Sequence, residues 1–270
     1  MRGRVSLMAY GKSNGLSKGA KIGIGAGIAV VVIGIIIAAV MVFRSGVFDT
    51  SMKLRLVEGT VNIEDSKGNI SPAGTNKQFE SGDIISTSYD GYASVTLDDT
   101  KSVTLDGYTR TEFYKQGKTK GVRLFKGGLF FEVSQRLNDD ELFQLQSNNV
   151  IITLNKGSSG YFEYDESGLQ TLYVTNGIVK VDAYNSRTGQ RKSVEVRGGQ
   201  KASLYLYDKS TGSSDSIKLI TSDIRPKDLP DFPLKVMSRN SQLLKTVCSY
   251  TGWDESEVQY YINKLPGMGS

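Results

Sequence analysis

The sequence of 270 residues contains no histidine and only one cysteine, Cys248. Without histidine, the chain lacks the usual general base near neutral pH, the Ser-His-Asp triad and the commonest nitrogen ligand of transition metals. A single thiol cannot form an internal disulfide, and apolar Val247 beside it favours burial in a core over pairing between chains. We therefore expect no catalytic residue, no metal and no cofactor.

Acid-based catalysis is the main chemistry that these absences leave open, because paired carboxylates can hydrolyse glycosides. The acidic clusters lie in polar, turn-like stretches, where aspartate bonds locally to the backbone, and we interpret them as solvated loop charges. No stretch has the D-x-D-x-D-G spacing of a calcium loop. An enzyme is therefore the least favoured class. The acids concerned are Asp98 with Asp99, Asp139–Glu141, and Asp165 with Glu166.

A charge-free apolar run extends from Ile22 to Phe43. Glycines alternate at its start, but Ile28 occupies the third glycine position of a dinucleotide fingerprint, and no β-branched strand precedes it. At about 1.5 Å per residue the run spans roughly 33 Å, enough for a hydrocarbon core of about 30 Å. Residues 22–43 are therefore predicted to form a transmembrane helix.

The charges on either side of this run predict its orientation. Residues 1–21 contain five basic and no acidic residues, so the positive-inside rule places this tail in the cytoplasm. A cleaved leader is the alternative, but its apolar region is shorter and "AAVMVFRSG" fits a cleavage site poorly. We expect a single-pass membrane protein with its amino terminus inside, and with residues 44–52 joining the helix to an extracytoplasmic region.

Small residues repeat at four-residue spacing in the apolar run, as Gly23 with Gly27 and Gly34 with Ala38. This spacing lets two membrane helices pack closely, which would produce a homodimer. The alternative is that glycine and alanine are simply common in membrane spans.

Residues 53–208 consist of short segments with alternating apolar residues, separated by glycine, asparagine and aspartate, a pattern typical of β-strands. Asn176-Gly177 in "TLYVTNGIVKVDAY" predicts a tight type I′ hairpin. Glycine also precedes alternating residues at Gly59, Gly91 and Gly128. The irregular spacing of these glycines favours successive hairpin returns over a strict repeat, although any all-β domain turns at glycine. The predicted apolar positions are Leu54, Leu56, Val61, Ile63, Ala93, Val95, Leu97, Leu172, Val174, Val179, Val181 and Ala183.

The order of motifs over residues 53–207 resembles the extracytoplasmic FecR domain. The chain reads "LVEGTVNIEDSKGN", "FESGDIISTSYDGYASVTLDDTKSVTL", "LFKGGLFFEV", "FQLQSNNVIITLNKGSSGYFEY", "TLYVTNGIVKVDAY" and "VEVRGGQKASL" in succession. The most telling residues are Gly82-Asp83-Ile84, Thr87 and Gly91. The resemblance implies a mostly β domain with the character of a double-stranded β-helix or coiled sandwich, outside the inner membrane of a bacterium. It also implies regulation of a sigma factor through a cytoplasmic anti-sigma domain. The predicted 21-residue tail is too short to form such a domain.

The C-terminal region is predicted to contain a linker and a helical hairpin. Pro226, Pro230 and Pro233 indicate a stiff, extended connector over residues 209–235. Over residues 236–265, Gly252 predicts the end of one helix and Asp254 the N-cap of a second. The spacing also resembles a helix-turn-helix, but acidic residues occupy the start of the second helix, where they repel phosphate.

Two functions are consistent with this organisation. The first is a non-catalytic binding or scaffold module whose partner is an envelope protein or polysaccharide; the second is a transmembrane regulator acting through the basic tail. A net charge of only +5 gives no case for nucleic acid. Because exposed aromatic rings suit protein and sugar surfaces, the candidate contacts are Tyr89, Tyr92, Tyr108, Tyr114, Tyr161, Tyr164, Tyr173 and Tyr184.

Overall fold

A computed structural model describes residues 52–154, 157–186, 188–206 and 217–266, with the backbone alone at residue 206. No helix within these residues has both the length and the hydropathy required to cross a membrane. The predicted transmembrane helix over 22–43, the tail before it and its small residues Gly23, Gly27, Gly34 and Ala38 lie outside the described part of the chain.

The described chain is mostly β-strand, as its alternating pattern predicts. Short strands follow one another with few residues between them until three helices close the chain. The strands are β1 Lys53–Glu58, β2 Val61–Glu64, β3 Ile70–Pro72, β4 Ile84–Thr87, β5 Tyr92–Thr96, β6 Lys101–Leu105, β7 Arg110–Gln116, β8 Thr119–Val133, β9 Leu142–Ser147, β10 Val150–Leu154, β11 Ser158–Tyr164, β12 Gln170–Asn176, β13 Ile178–Tyr184, β14 Arg191–Arg197, β15 Gln200–Leu206 and β16 Ile217–Asp223.

These strands form two sheets joined by the long strand β8. The first sheet has the order β1-β5-β6-β8-β11-β12-β15-β16. The second has the order β3-β2-β4-β7-β8-β9-β10-β13-β14. Pairing is antiparallel except between β8 and β9. The first part of β8 pairs in the second sheet and its last part in the first, so one strand belongs to both layers.

Residues from both sheets contribute to one apolar core. Period-two alternation places the predicted apolar side chains in it, because successive strand residues point to opposite faces. Leu56 is the exception, with 38% of its surface exposed. A register shift between Leu54 and Leu56 turns the second leucine outward, as expected when a bulge adds one residue to a strand.

The hairpin predicted at Asn176-Gly177 is wrong. Strand β12 pairs with β11 and β15 in the first sheet, whereas β13 pairs with β10 and β14 in the second. Gly177 has a φ of +78°, and a Cβ there would lie 2.4 Å from the Gly157 carbonyl oxygen. The glycine therefore permits a close crossing between sheets, which needs the same positive φ as a type I′ turn.

Successive hairpin returns at the other glycine phrases are wrong for the same reason. Most passages of the described chain between the two sheets contain a glycine, whereas the passage from β8 to β9, over residues 134–141, contains none. A Cβ at Gly59, for example, would lie 2.2 Å from the Asp90 carbonyl oxygen. The irregular spacing of these glycines in the sequence thus follows from the close packing of the chain where it passes between the two sheets. The crossing glycines are Gly59, Gly91, Gly107, Gly127, Gly157, Gly177, Gly198 and Gly199.

The linker predicted over residues 209–235 contains regular structure where it is described. Residues 217–223 form β16 at the edge of the first sheet, Pro226–Asp228 form a 3₁₀ turn, and helix α1 spans Asp231–Ser238. The prolines were a misleading signal, because Pro230 is the N-cap of α1 and Pro233 lies in its first turn. Proline is tolerated there, since those backbone N–H groups have no partner within the helix.

Two further helices complete the chain, α2 over Ser241–Thr251 and α3 over Glu255–Ile262. Gly252 ends α2 in the left-handed conformation, and the Asp254 side chain accepts a hydrogen bond from the Ser256 N–H, as the sequence predicts. Cys248 is buried, also as predicted. The apolar faces of the helices pack together and against aromatic side chains of the first sheet.

Candidate functional site

The outer face of the first sheet is partly covered by the C-terminal helices. Phe232 of α1 lies 5.9 Å from the ring of Tyr92 and 5.7 Å from that of Tyr161, and Tyr173 lies 6.2 Å from Tyr161. Phe130 belongs to the same buried cluster. Aromatic pairs at these separations contribute beyond the area they bury, so this half of the face serves to hold the helices.

The uncovered half of the same face forms a groove, here called the polar groove, with a volume of about 410 Å³. Its floor consists of outward-facing side chains of β1, β5, β6 and β8, and one wall is the end of α1. Hydroxyl groups dominate the floor because serine and threonine alternate with core residues in these strands. The floor residues include Ser94, Thr96, Ser102, Thr104, Phe130 and Glu132, with Val236, Arg239 and Asn240 on the wall.

Glu132 is the acid that strand β8 contributes to this floor. Its strand neighbours are Ser102 on β6 and Ser159 on β11. Burial raises the pKa of the Glu132 carboxyl, and no attractive charge offsets that effect. Among the described residues, nothing forms a hydrogen bond or ion pair with this carboxylate. The groove thus contains a partly desolvated acid without a counter-ion, an arrangement that costs free energy in an empty site.

The arginines at the rim are held by other groups. Arg239 donates through both terminal nitrogens to Glu58, at 2.9 and 3.0 Å, and lies 4.4 Å from the centre of the Tyr92 ring. The Nε of Arg55 donates to the Thr96 hydroxyl at 3.0 Å. Their positions fix the walls of the polar groove and leave Glu132 free.

A buried ion cluster closes one end of the groove. The Lys101 side chain is only 1% exposed, and its Nζ lies 2.8 Å from Asp98 Oδ2 and also pairs with Glu141. Lys120 Nζ lies 2.7 Å from the same Asp98 oxygen. Hydrogen bonds from both lysines hold the pKa of the Asp98 carboxyl far below its usual range, although burial opposes them.

The interpretation of the acidic clusters as solvated loop charges is therefore wrong for Asp98 and Glu141. Asp165 does behave as predicted, since its carboxylate accepts the backbone N–H groups of Ser167 and Leu169 within its own turn. The sequence misses the ion cluster because Lys120 lies 22 residues from Asp98, and Glu141 lies 40 residues from Lys101. It also misses Glu132, for which the one available signal is an acid alternating with apolar residues in "GLFFEV".

The tyrosines predicted as contacts fall into three groups. Tyr92, Tyr161 and Tyr173 are buried beneath the helices. Tyr89 and Tyr108 are 75% and 65% exposed, with ring centres 6.4 Å apart. Of the remaining three, Tyr114 on β7 is half-buried beneath Arg123. Tyr164 on β11 of the first sheet and Tyr184 on β13 of the second line a cavity of about 450 Å³.

The described residues contain no cluster of three or more histidine, cysteine, aspartate or glutamate side chains positioned to hold a metal ion. The small-residue face Gly23, Gly27, Gly34 and Ala38 cannot be placed relative to the groove, because it lies outside the described residues. Chemically, the polar groove can recognise a ligand by the unpaired Glu132 carboxylate and a set of hydroxyls.

Comparison with known proteins identifies the class of the domain that carries the groove. Residues 83–180 match the family model described as FecR protein, and the chain thus carries a FecR domain. The match covers β4 to β12 and includes Glu132 and the ion-cluster acids. Thr87, one of the telling residues, accepts a hydrogen bond from the Thr109 N–H at 2.8 Å and donates to the Asp106 carbonyl, so its role is to secure a crossing between sheets.

Solved structures to which the chain is similar include two, each of a candidate anti-sigma factor from Parabacteroides distasonis ATCC 8503. One, at 1.65 Å resolution, is 15% identical with a TM-score of 0.44, over 57% of this chain and 64% of that one. The other, at 2.50 Å, is 17% identical with a TM-score of 0.41, over 52% and 60%. This chain thus spans less than two thirds of either structure. A comparison with curated proteins found no match.

Proposed function

We propose that this chain is a membrane-anchored, extracytoplasmic FecR-domain protein that binds a partner in the bacterial cell envelope through the polar groove. The observation that carries the proposal is Glu132, a partly buried acid that lines a groove about 410 Å³ in volume and has no counter-ion among the described residues. Ligand sites commonly combine such a cavity with a few convergent polar groups. Most of the floor lies within the matched residues 83–180.

The groove supports binding rather than catalysis. Glycoside hydrolysis needs one acid to donate a proton and a second to act as base or nucleophile. Asp98 lines the groove but is held as a carboxylate by Lys101 and Lys120, so it is a poor proton donor. The remaining acid of the lining, Asp99, is exposed in the turn between β5 and β6.

The anchor in this proposal is the apolar run over residues 22–43, with residues 1–21 in the cytoplasm. Residues 44–52 then join it to β1, which begins at Lys53. The small residues Gly23, Gly27, Gly34 and Ala38 would let two anchors pack together. Replacing Gly27 and Gly34 with leucine should then abolish self-association in a membrane assay, and unchanged association would exclude this packing face.

A second candidate function is signalling across the membrane, and one feature favours it. Arg239 links the end of α1 to Glu58 of β1, the strand that follows the proposed anchor, and both lie beside the groove. A ligand in the groove would therefore contact β1, the strand that follows the proposed anchor in the sequence. Deleting residues 2–18 should abolish any transcriptional or envelope response if the basic tail transmits the signal; a response that survives with the outer domain still displayed would exclude this role.

Site-specific crosslinking in intact cells tests the proposed function. A photoreactive amino acid replaces Arg55 or Asp99, which line the rim of the groove, in the full-length protein. The control replaces Lys192, which is exposed on β14 at the edge of the second sheet. We expect a discrete crosslinked partner from the two rim positions and not from Lys192. Crosslinking that is absent, or equal at all three positions, would contradict recognition through the groove.

A further inference from the structure

The position of Glu132 in the first sheet determines what can neutralise it. Its cross-strand neighbours are Ser102 and Ser159, and the Ser159 hydroxyl is already within 2.8 Å of the Thr175 hydroxyl. Hydroxyl groups can donate a hydrogen bond to a carboxylate but cannot balance its charge. The sheet itself therefore provides no counter-ion for Glu132.

The basic residues that line the groove make their described contacts with groups other than Glu132. The Arg55 Nε donates a hydrogen bond to the Thr96 hydroxyl on β5. Strand β5 lies two strands from β8, which carries Glu132, and this separation is roughly 10 Å at the usual strand spacing. Arg239 is paired in a bidentate manner with Glu58, and Lys101 with Asp98. Among the described residues, no cation is therefore paired with Glu132.

The shape of the site indicates what kind of cation fits. Tyr92, Phe130 and Val236 provide an apolar end of the groove, whereas Ser102 and Thr104 surround the acid with hydroxyl groups. A side chain that carries its charge on an apolar stem can bury the stem against such a wall. Lysine and arginine have this structure, and the guanidinium fork of arginine matches a carboxylate in two hydrogen bonds.

We infer that the polar groove binds an arginine or lysine side chain presented by a segment of a partner protein, with Glu132 as its counter-ion. This inference rests on the proposed function and adds the chemical class of the ligand. A neutral polysaccharide brings no positive charge to Glu132, so its binding would leave the acid unpaired.

The ligand class is tested with a fluorescein-labelled peptide, acetyl-Gly-Arg-Gly, and the full chain in detergent micelles. Fluorescence polarisation gives its affinity, and the same peptide with neutral citrulline in place of arginine controls for shape. Glu132→Gln keeps the size of the side chain and removes its charge. The matched control is Glu195→Gln, at an exposed acid on the edge strand β14. Far-ultraviolet circular dichroism verifies that both variants fold.

We expect the arginine peptide to bind about 10- to 100-fold more weakly to Glu132→Gln than to the natural chain, because a charge-assisted hydrogen bond is lost. Glu195→Gln should bind like the natural chain, and the citrulline peptide should be insensitive to Glu132→Gln. Binding that does not distinguish the two variants, or no preference of the natural chain for arginine over citrulline, would overturn the inference.

The crosslinking experiment separates this inference from the proposed function. If the rim positions crosslink a partner and Glu132→Gln leaves that crosslinking unchanged, the ligand class is wrong while recognition through the groove stands. If the rim positions crosslink nothing, the proposed function itself fails.

Discussion

The ion cluster at the end of the polar groove is expected to make a large contribution to stability. Asp98→Asn keeps the shape of the side chain but removes the carboxylate that binds two lysines. Lys101, which is 1% exposed, then retains only Glu141 as an acidic partner. Breaking a buried ion pair by removing one member typically costs about 3–5 kcal/mol, because the remaining charge stays desolvated. We expect Asp98→Asn to lower the free energy of unfolding by about that amount.

Urea unfolding of the full chain in detergent micelles, followed by far-ultraviolet circular dichroism, measures this loss. The transition midpoint should fall without a change in the dependence on urea, which reports the surface exposed on unfolding. Asp139→Asn is the control, since Asp139 and its partner Arg136 have side chains 93% and 75% exposed; it should unfold like the natural chain. A loss below about 1 kcal/mol for Asp98→Asn would refute the reasoning.

The pH dependence of the same measurement gives a second test. The lysines depress the pKa of Asp98 below its ordinary value of 3.8. The stability gained from the ionised group is therefore complete above the unfolded pKa and is lost as pH falls through the folded pKa. The difference between the natural chain and Asp98→Asn should be constant above pH of about 5 and should narrow as the pH falls below about 3.8. A constant difference down to pH of about 2 would contradict the assignment.

Three further predictions concern the backbone and the thiol. Gly177→Ala should destabilise the protein by about 2–4 kcal/mol, because its Cβ would lie 2.4 Å from the Gly157 carbonyl oxygen. Gly168 also has a positive φ but has open space around it, so Gly168→Ala should lower the free energy of unfolding by only about 1 kcal/mol. Equal losses for the two variants in urea unfolding would contradict the claim that close packing at the crossing requires Gly177. Tyr108→Gly should leave stability unchanged or raise it by up to about 1 kcal/mol, because Tyr108 has a φ of +57°; a larger loss would mean that its ring is structurally required. Cys248 should react with a thiol reagent far more slowly than the unfolded chain, because burial raises the pKa of its thiol, with Glu255 and Asp254 adding to the effect. Fast stoichiometric labelling of the native protein would contradict its burial.

The features predicted well from sequence are those that neighbouring residues determine. Alternation identifies the buried side chains of a strand because the strand period is two. Gly252 and Asp254 identify helix ends because the hydrogen bonds that they satisfy lie within four residues. The FecR domain follows from several weak motifs in a fixed order, and the family match over residues 83–180 confirms it.

The features that the sequence misses depend on pairing between distant strands. Asn176-Gly177 satisfies the backbone needs of a tight hairpin and of a crossing equally, and only the partners of β12 and β13 distinguish them. Asp98 sits in a turn that looks solvated, while Lys120 lies on another strand. Pro233 permits an extended chain or the first turn of a helix.

The sharing of β8 between the two sheets has a consequence for how the domain unfolds. At roughly 3.3 Å per residue its fifteen residues extend about 50 Å. Gly127 marks the point where pairing passes from the second sheet to the first. Releasing this strand from either sheet removes a central member of that sheet and disturbs the other. Neither sheet can then persist as a partly folded intermediate. We therefore expect both sheets to unfold together in a single cooperative transition.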